Sequence, residues 1–244
     1  KDGAPYLYFV ASTDPRPITT YSYVKPGFYS DPVLSQKVSS TADGGSGDTA
    51  HEKVNARYIG RLQYGGFYLW TKREPKSLAD LKGLKIRITP VYRDFFQAMG
   101  AQVMTTAPGE VYTALERGVI DGYGWPIHML FDLNWQEKTR FRVDPGFYNA
   151  EVSIIMNLDK LKALSPKARE FLSRQVQAHE AQNDFWKSHN ESEARRQAQA
   201  GIQTISFDAA TTRRYLEQAR ETGWAGVLKT APQNGPLLRK VLSR

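Results

Sequence analysis

The sequence predicts an α/β protein of two lobes, similar in architecture to periplasmic binding proteins, with one long helix that spans both lobes. The first observation is the alternation of strand-like and helix-like segments between residues 77 and 126, which is typical of parallel strands joined by helices. The second is the absence of glycine and proline from residues 167–200. A helix that rises about 1.5 Å per residue would extend about 50 Å over this stretch, which exceeds the width of one small domain.

Three kinds of segment precede the alternating region. Residues 7–12 (LYFVAS) predict a strand, and residues 15–32 are rich in prolines and aromatic residues, which favours an extended stretch interrupted by turns. Residues 39–50 (SSTADGGSGDTA) predict a glycine-rich loop. The sequence at residues 51–66 and the apolar run at residues 65–71 predict two successive strands.

Local start and stop signals define the elements between residues 77 and 126. Serine or proline marks the beginning of a helical segment, glycine ends it, and the strands are short apolar runs rich in β-branched residues. The expected elements are a helical turn from Ser77 to Gly83, a strand at 84–88, a helix from Pro90 to Gly100, a strand at 101–106, a helix from Gly109 to Arg117 and a strand at 119–125.

The last third of the sequence predicts helices. Ser165 followed by Pro166 fits an N-cap residue and the first position of the long helix. Asp208 is a second candidate N-cap. The expected helices run from Pro166 to Gly201, from Asp208 to Gly223 and from about Pro236 to Leu242.

Composition excludes several classes of protein. Hydrophobic residues make up 41% and charged residues 24% of the 244 residues, as in ordinary globular proteins. The chain has no cysteine, which excludes disulfides, thiolate catalysis and zinc–thiolate sites. No run approaches the roughly 18 apolar residues that cross a bilayer, so we expect no membrane span. The net charge is +8, but lysine and arginine are spread along the chain, which disfavours nucleic acid and fits an organic anion.

Arg87 is the main candidate for ligand binding. It ends the expected strand at residues 84–88, and the carboxyl ends of strands in open α/β sheets border the crevice where ligands bind. A guanidinium can hold a carboxylate through two parallel hydrogen bonds. The alternative interpretation is a surface arginine that pairs with a helix carboxylate.

Two motifs resemble a known family. DLKGLKIR at residues 80–87 and GEVYTALERGVIDG at residues 109–122 are similar to the extracytoplasmic solute-binding proteins of TRAP transporters, the tripartite ATP-independent periplasmic transporters. The resemblance implies ligand capture in a cleft without enzymatic activity, a periplasmic location and TRAP membrane subunits as partners. It also implies lobe one at residues 1–64 and about 153–185, and lobe two at residues 65–152 and about 186–244. No targeting segment opens the sequence, and we expect that the strand–helix unit that usually begins the family is missing.

Aromatic residues are the other candidates for the ligand site. Trp125 follows the DG of the second motif by three residues and is expected to form a wall of the cleft, with Tyr123 on the same face of the strand. Plain core packing is the alternative for Trp125. The remaining candidates are drawn from an aromatic segment after a Pro–Gly turn and from the strand before the lobe crossing; they are Phe147, Tyr148, Asn149, Phe67 and Gln63.

The resemblance also bears on metals and on the ligand. Gly124 and Asn149 stand where keto-acid-binding members of the family carry carboxylates that help to hold a cation. Both residues are neutral here, so we expect neither a metal nor any other cofactor. One cation among several aromatic residues predicts a monocarboxylate with an apolar or aromatic body. A ligand-binding sensor module is an alternative function, and an enzyme on a similar scaffold is a weaker one because the sequence shows no nucleophile–base pair.

Overall fold

The computed structural model describes residues 7–11, 55–230, 232 and 235–242. These residues form one mixed sheet of seven strands with helices packed against it. The strands are β1 (Leu7–Ala11), β2 (Ala56–Thr71), β3 (Lys85–Ile88), β4 (Gln102–Thr105), β5 (Gly122–Pro126), β6 (Phe141–Asn157) and β7 (Gln203–Ser206). The helices are α1 (Arg93–Ala98), α2 (Pro108–Glu116), α3 (Leu158–Ala163), α4 (Pro166–Glu180), α5 (Asn183–Gln199), α6 (Ala209–Thr230) and α7 (Gly235–Leu242).

Two long antiparallel strands, β2 and β6, form the middle of the sheet. The strand order is β1-β6-β2-β5-β3-β4, and β7 pairs with the first residues of β6. The β2–β6 pairing runs from Ala56 opposite Asn157 to Thr71 opposite Phe141 and contains three register shifts. Because bulges bend and twist a pair of strands, β2 and β6 can belong to two differently oriented parts of the sheet.

Strands β3, β4 and β5 carry the candidate site. Strand β3 lies between β4 and β5 and pairs with both in parallel, while β5 is antiparallel to β2. Successive residues of a strand point to opposite faces, so Leu69 and Trp70 of β2 enter different core clusters. The first cluster contains Phe95, Phe96 and helix α6, and the second contains Trp135 and helix α2.

The sequence signals confirmed by the structure are the local ones. A strand at residues 7–11, the elements between residues 78 and 126 and the last helix all form where they are expected, with ends that agree within three residues. Ser165 is the N-cap of α4, because its hydroxyl accepts a hydrogen bond from the backbone N–H of Ala168 at 3.2 Å. Gly201 follows α5 with a φ of +85°, a left-handed conformation that favours glycine. The segment expected at residues 15–32 and the glycine-rich loop lie outside the described residues.

The prediction of one uninterrupted long helix is wrong. The helix is divided at Ala181 and Gln182, where ψ is −8° and 19° instead of about −42°. The N–H of Gln182 bonds to the carbonyl of His179, three residues back, which tightens the chain into a turn. Neither residue is a helix breaker, so the sequence does not indicate the interruption.

Three further expectations need correction. The two strands predicted over residues 51–71 form the single strand β2 in the described part. The helix expected to end at Gly223 continues to Thr230, because burial of Trp224 and Val227 beyond the glycine outweighs the low helix propensity of one glycine. Strands β6 and β7 were not predicted at all. Within the described residues, no helix is both long and apolar enough to cross a membrane.

Candidate ligand-binding site

Arg87 is buried on strand β3, with 3% of its surface exposed. Its neighbours Ile86 and Ile88 enter the first core cluster, so the arginine projects from the opposite face of the strand. The guanidinium Nε donates a hydrogen bond to the backbone carbonyl of Thr106, at 3.0 Å, just beyond the end of β4. This bond fixes one edge of the guanidinium against the sheet and leaves the Nη1–Nη2 edge for another partner.

The guanidinium of Arg87 lacks an internal counter-charge among the described residues. Its Nη1 is buried and has no hydrogen-bond partner there, and no described carboxylate lies within ion-pair distance of it. Burial lowers the pKa of Arg87, an effect that interaction with Tyr92 opposes. The interpretation of Arg87 as a surface residue that pairs with a helix carboxylate is therefore wrong.

Tyr92 lies beside Arg87 and closes one side of the site. It is 3% exposed, and its hydroxyl donates a hydrogen bond to the carbonyl of Gly124 on β5 at 2.9 Å. Burial raises the pKa of Tyr92, while Thr89 and Arg87 act in the opposite direction. The phenol ring covers Gly124 so closely that a Cβ atom there would lie 2.7 Å from ring atom Cε2.

Aromatic side chains surround this arginine–tyrosine pair. The Trp125 ring faces Arg87, with 5.3 Å between the guanidinium carbon and the ring centroid, a cation–π distance. Phe67 contacts Trp125, Tyr92 and Tyr148, with ring centroids 6.5, 5.9 and 5.6 Å apart. The Trp125 Nε1 is buried without a hydrogen-bond partner. The structure thus brings four predicted residues together, namely Arg87, Trp125, Phe67 and Tyr148.

Two other predicted residues support the site from the core. Tyr123 is fully buried, stacks on Trp70 and forms a hydrogen bond of 2.7 Å with the hydroxyl of Thr139. Phe147 is 2% exposed and stacks on Phe95 at 5.2 Å. Both side chains are therefore packed as core residues. We therefore leave Tyr123 and Phe147 out of the ligand-contacting set.

The last two predicted residues are placed only by their backbones. Gln63 pairs with Val152, and Asn149 pairs with Gly66, in the β2–β6 ladder. Their side chains are outside what the structure describes, so their contact with a ligand stays a prediction.

A second buried arginine, Arg142, shows what a fully paired guanidinium looks like in this fold. Its Nε and Nη2 bind the two carboxylate oxygens of Asp144 at 3.2 and 3.0 Å. Its Nη1 donates to Gln197 at 3.1 Å, and Nη2 also donates to Thr204 at 3.2 Å. Arg142 therefore joins β6 to α5 and β7 as a structural residue, in contrast to Arg87.

Comparison with known families matches residues 34–224 to the bacterial extracellular solute-binding proteins, family 7. The chain belongs to this family. It is a family of solute-binding proteins rather than of enzymes, which confirms the resemblance and the prediction that the chain is not an enzyme.

Curated proteins match parts of the chain. The monocarboxylate 2-oxoacid-binding periplasmic protein of Nostoc sp. is 33% identical over 122 residues, which cover 48% of this chain and 32% of that protein. The 2,3-diketo-L-gulonate-binding periplasmic protein of Escherichia coli is 30% identical over 143 residues, covering 56% of this chain and 44% of that protein. The chain thus spans less than half the length of these curated relatives.

Solved structures of TRAP periplasmic solute-binding proteins share the fold. One from Xanthobacter autotrophicus, with bound β-D-galacturonate, has a TM-score of 0.81 at 18% identity and covers 99% of this chain and 81% of that chain. Another from Desulfovibrio salexigens, with bound orotic acid, has a TM-score of 0.76 at 19% identity, over 96% of this chain and 78% of that chain. The predicted two-lobed α/β fold is confirmed.

Sequence reasoning missed two contributors to the site in this family 7 chain. Tyr92 follows Arg87 by five residues, in the connection that leaves the carboxyl end of β3, and that position is the signal that could have identified it. Thr106 acts through its backbone carbonyl, for which side-chain chemistry gives no signal.

The described residues suit binding more than bond-breaking. They contain no group of three or more histidine or acidic side chains that could hold a metal. Around the guanidinium of Arg87 they offer buried N–H donors and aromatic faces. These groups can hold an acid through its carboxylate and pack against its carbon skeleton.

Proposed function

We propose that this chain is the periplasmic substrate-binding subunit of a TRAP transporter and that it captures an organic acid anion at Arg87. The observation that carries the proposal is the buried Nη1 of Arg87, which has no partner in the described part of the protein. A buried charge without a partner is strongly unfavourable, so folds rarely keep one unless a ligand supplies the opposite charge.

The geometry supports a defined binding mode. Since Nε is already bonded to Thr106, a ligand carboxylate would take the Nη1–Nη2 edge through two parallel hydrogen bonds. Charge pairing is stronger in a buried site than in water because the effective dielectric constant is lower. An uncharged analogue would leave the guanidinium unpaired and would bind poorly.

The surroundings of Arg87 favour a monocarboxylate with an apolar or aromatic body. Trp125, Phe67 and Tyr148 offer aromatic faces around Arg87, and the neighbouring guanidinium of Arg93 is bonded to the hydroxyl of Thr105 at 2.9 Å. The ligands named for relatives and structural neighbours, namely 2-oxoacids, uronates and orotate, are all organic acids. They support an organic acid as the ligand but do not favour one kind of organic acid over another.

Capture would be coupled to closure of the lobes. In this proposal lobe one holds residues 1–64 and about 153–185, and lobe two holds residues 65–152 and about 186–244. The ligand favours the closed form because it contacts Gln63 of lobe one as well as Arg87 of lobe two. The membrane subunits would then recognise the closed form.

Isothermal titration calorimetry with a panel of acids tests the proposal. We would use 2-oxopentanoate, phenylacetate, D-glucuronate and orotate, each in buffer and in EDTA. Arg87→Ala should weaken binding by about 2–5 kcal/mol, because it removes one partner of a buried charge pair. Arg117→Ala is the matched control, since Arg117 is exposed at the end of α2.

Three results would contradict parts of the proposal. Unchanged affinity in Arg87→Ala would remove Arg87 from the site. Binding that disappears in EDTA would show that a cation is required, against the prediction of no metal. A wild-type protein that binds no acid of the panel would refute the proposed class of ligand.

A further inference from the structure

We infer that Tyr92 positions the guanidinium of Arg87 and makes the site selective for acids with a single carboxylate. This inference rests on the proposed function, because it concerns how the same site chooses among organic anions. Three features of Tyr92 support it. Its hydroxyl bonds to strand β5, its ring packs directly on Gly124, and its oxygen can only accept a hydrogen bond from Arg87.

The hydroxyl of Tyr92 joins two strands where their backbone ladder ends. The pairing of β3 with β5 stops at Arg87 opposite Tyr123, and the next residue of β5 is Gly124. The hydroxyl reaches this carbonyl through a fully buried hydrogen bond of 2.9 Å. Tyr92 therefore holds β3 and β5 together one residue beyond their last ladder pair, between the strand that carries Arg87 and the strand that carries Trp125.

The ring of Tyr92 closes the face of β5 at position 124. A Cβ atom on Gly124 would lie 2.7 to 2.9 Å from three atoms of the phenol, a separation that real Cβ atoms essentially never show. No ligand atom fits between the ring and the strand for the same reason. Neighbouring rings hold the phenol from other sides, with centroids 5.2 Å away at Phe147, 5.9 Å at Phe67 and 6.0 Å at Tyr148.

The oxygen of Tyr92 presents only lone pairs to Arg87. A phenol has one hydrogen, and the bond to Gly124 uses it. The remaining acceptor sites suit the cationic guanidinium, whose charged form the interaction with Tyr92 favours. Thr89 and Arg87 both interact with this oxygen, so a second ligand carboxylate placed against it would meet no free donor of Tyr92 and would be disfavoured. The first carboxylate is thereby directed to the free edge of Arg87.

Tyr92→Phe is the appropriate change, because it removes only the hydroxyl and keeps the ring packing. The probes are 2-oxopentanoate and 2-oxoglutarate, which have the same five-carbon chain and carry one and two carboxylates. The wild-type protein should prefer 2-oxopentanoate. In Tyr92→Phe the dissociation constant for 2-oxopentanoate should rise about fivefold, as expected for loss of one buried hydrogen bond, while that for 2-oxoglutarate should stay constant or fall.

The ratio of the two dissociation constants separates this role from a purely structural one. General damage to the fold would weaken both acids equally and leave the ratio unchanged. Tyr112→Phe is the control, because the exposed hydroxyl of Tyr112 on α2 bonds to Glu137 at 2.6 Å and not to Gly124 or Arg87, so its removal should change neither dissociation constant.

The outcomes distinguish this inference from the proposed function. An unchanged ratio in Tyr92→Phe, with binding that still depends on Arg87, overturns the role of Tyr92 and leaves the proposed function intact. A wild-type protein that prefers 2-oxoglutarate also overturns it. A wild-type protein that binds no acid of the larger panel overturns the proposed function and this inference together.

Discussion

The two buried arginines should respond in opposite ways to the same substitution. Arg87→Met replaces a buried guanidinium whose Nη1 has no described partner by an apolar side chain of similar length. Arg142→Met removes a guanidinium whose three nitrogen atoms all donate hydrogen bonds. We expect the first change to leave the ligand-free protein as stable as before or more stable, and the second to destabilise it.

The magnitudes follow from the contacts. Burying an unsatisfied charged donor costs about 1–3 kcal/mol or more, and Arg87→Met removes that cost but loses one hydrogen bond to Thr106 worth about 1–2 kcal/mol. The free energy of unfolding should therefore change by about 0 to +2 kcal/mol. Arg142→Met leaves the half-buried carboxylate of Asp144 and the Oε1 of Gln197 without this partner, and the loss of these bonds costs about 2 kcal/mol.

Equilibrium unfolding in urea without ligand measures both effects, with the fluorescence of the five tryptophans as the signal. The m-values should agree among the three proteins, so that the midpoints report stability. Arg87→Met must also lose acid binding in calorimetry. If Arg87→Met destabilises the ligand-free protein as much as Arg142→Met does, Arg87 has an internal role and the reasoning from its missing partner is refuted.

Two further predictions concern stability. Burial lowers the pKa of His128 below its ordinary value of 6.5. As the pH falls, the unfolded chain therefore binds a proton at this histidine before the folded protein does. The contribution of His128 to the free energy of unfolding is complete above pH 6.5 and is lost as the pH falls below that value. Urea unfolding at pH 7.5 and 5.5 should show a smaller loss in His128→Asn than in wild type, and an equal loss would contradict this. Gly122→Ala should lower the free energy of unfolding by about 3 kcal/mol, because the added Cβ would clash with the carbonyl of Trp70. Gly109→Ala in α2, where a Cβ meets nothing within 4 Å, should raise that free energy by about 0.5 kcal/mol, and similar effects at both glycines would contradict the steric reasoning.

The fold was predictable where its signals are local. Between residues 78 and 126, apolar periodicity and terminal glycines mark each element within a few residues of chain. Strand β6 has no such signal, because it contains Pro145 and Gly146 and is defined by pairing with the distant strand β2. The division between α4 and α5 likewise occurs at Ala181 and Gln182, which are ordinary helix residues.

In the candidate site, the sequence predicted which face of a strand a side chain occupies but not how deeply the side chain is buried. Tyr123 and Trp125 were expected on one face of β5, and both contact Trp135, at 4.7 and 4.8 Å. Alternation along a strand gives the face but not the depth. Tyr123, near the start of the strand, is fully enclosed, whereas Trp125, near its end, is half-buried beside Arg87.

The arrangement of the site explains how the proposed capture could drive closure. Arg87 and Tyr92 belong to the β3–α1 region and are already held by the carbonyls of Thr106 and Gly124, so a ligand would not have to order them. Phe67 and Tyr148, which face each other in the ladder, belong to the long strands β2 and β6 that would connect the lobes. All four side chains fall in lobe two as proposed, so a ligand held at Arg87 would spend its binding free energy on the position of the lobes through a contact with lobe one, for which Gln63 is the predicted residue. Crystal structures in which the Arg87 side chain changes rotamer between the ligand-free and the bound protein would contradict this coupling.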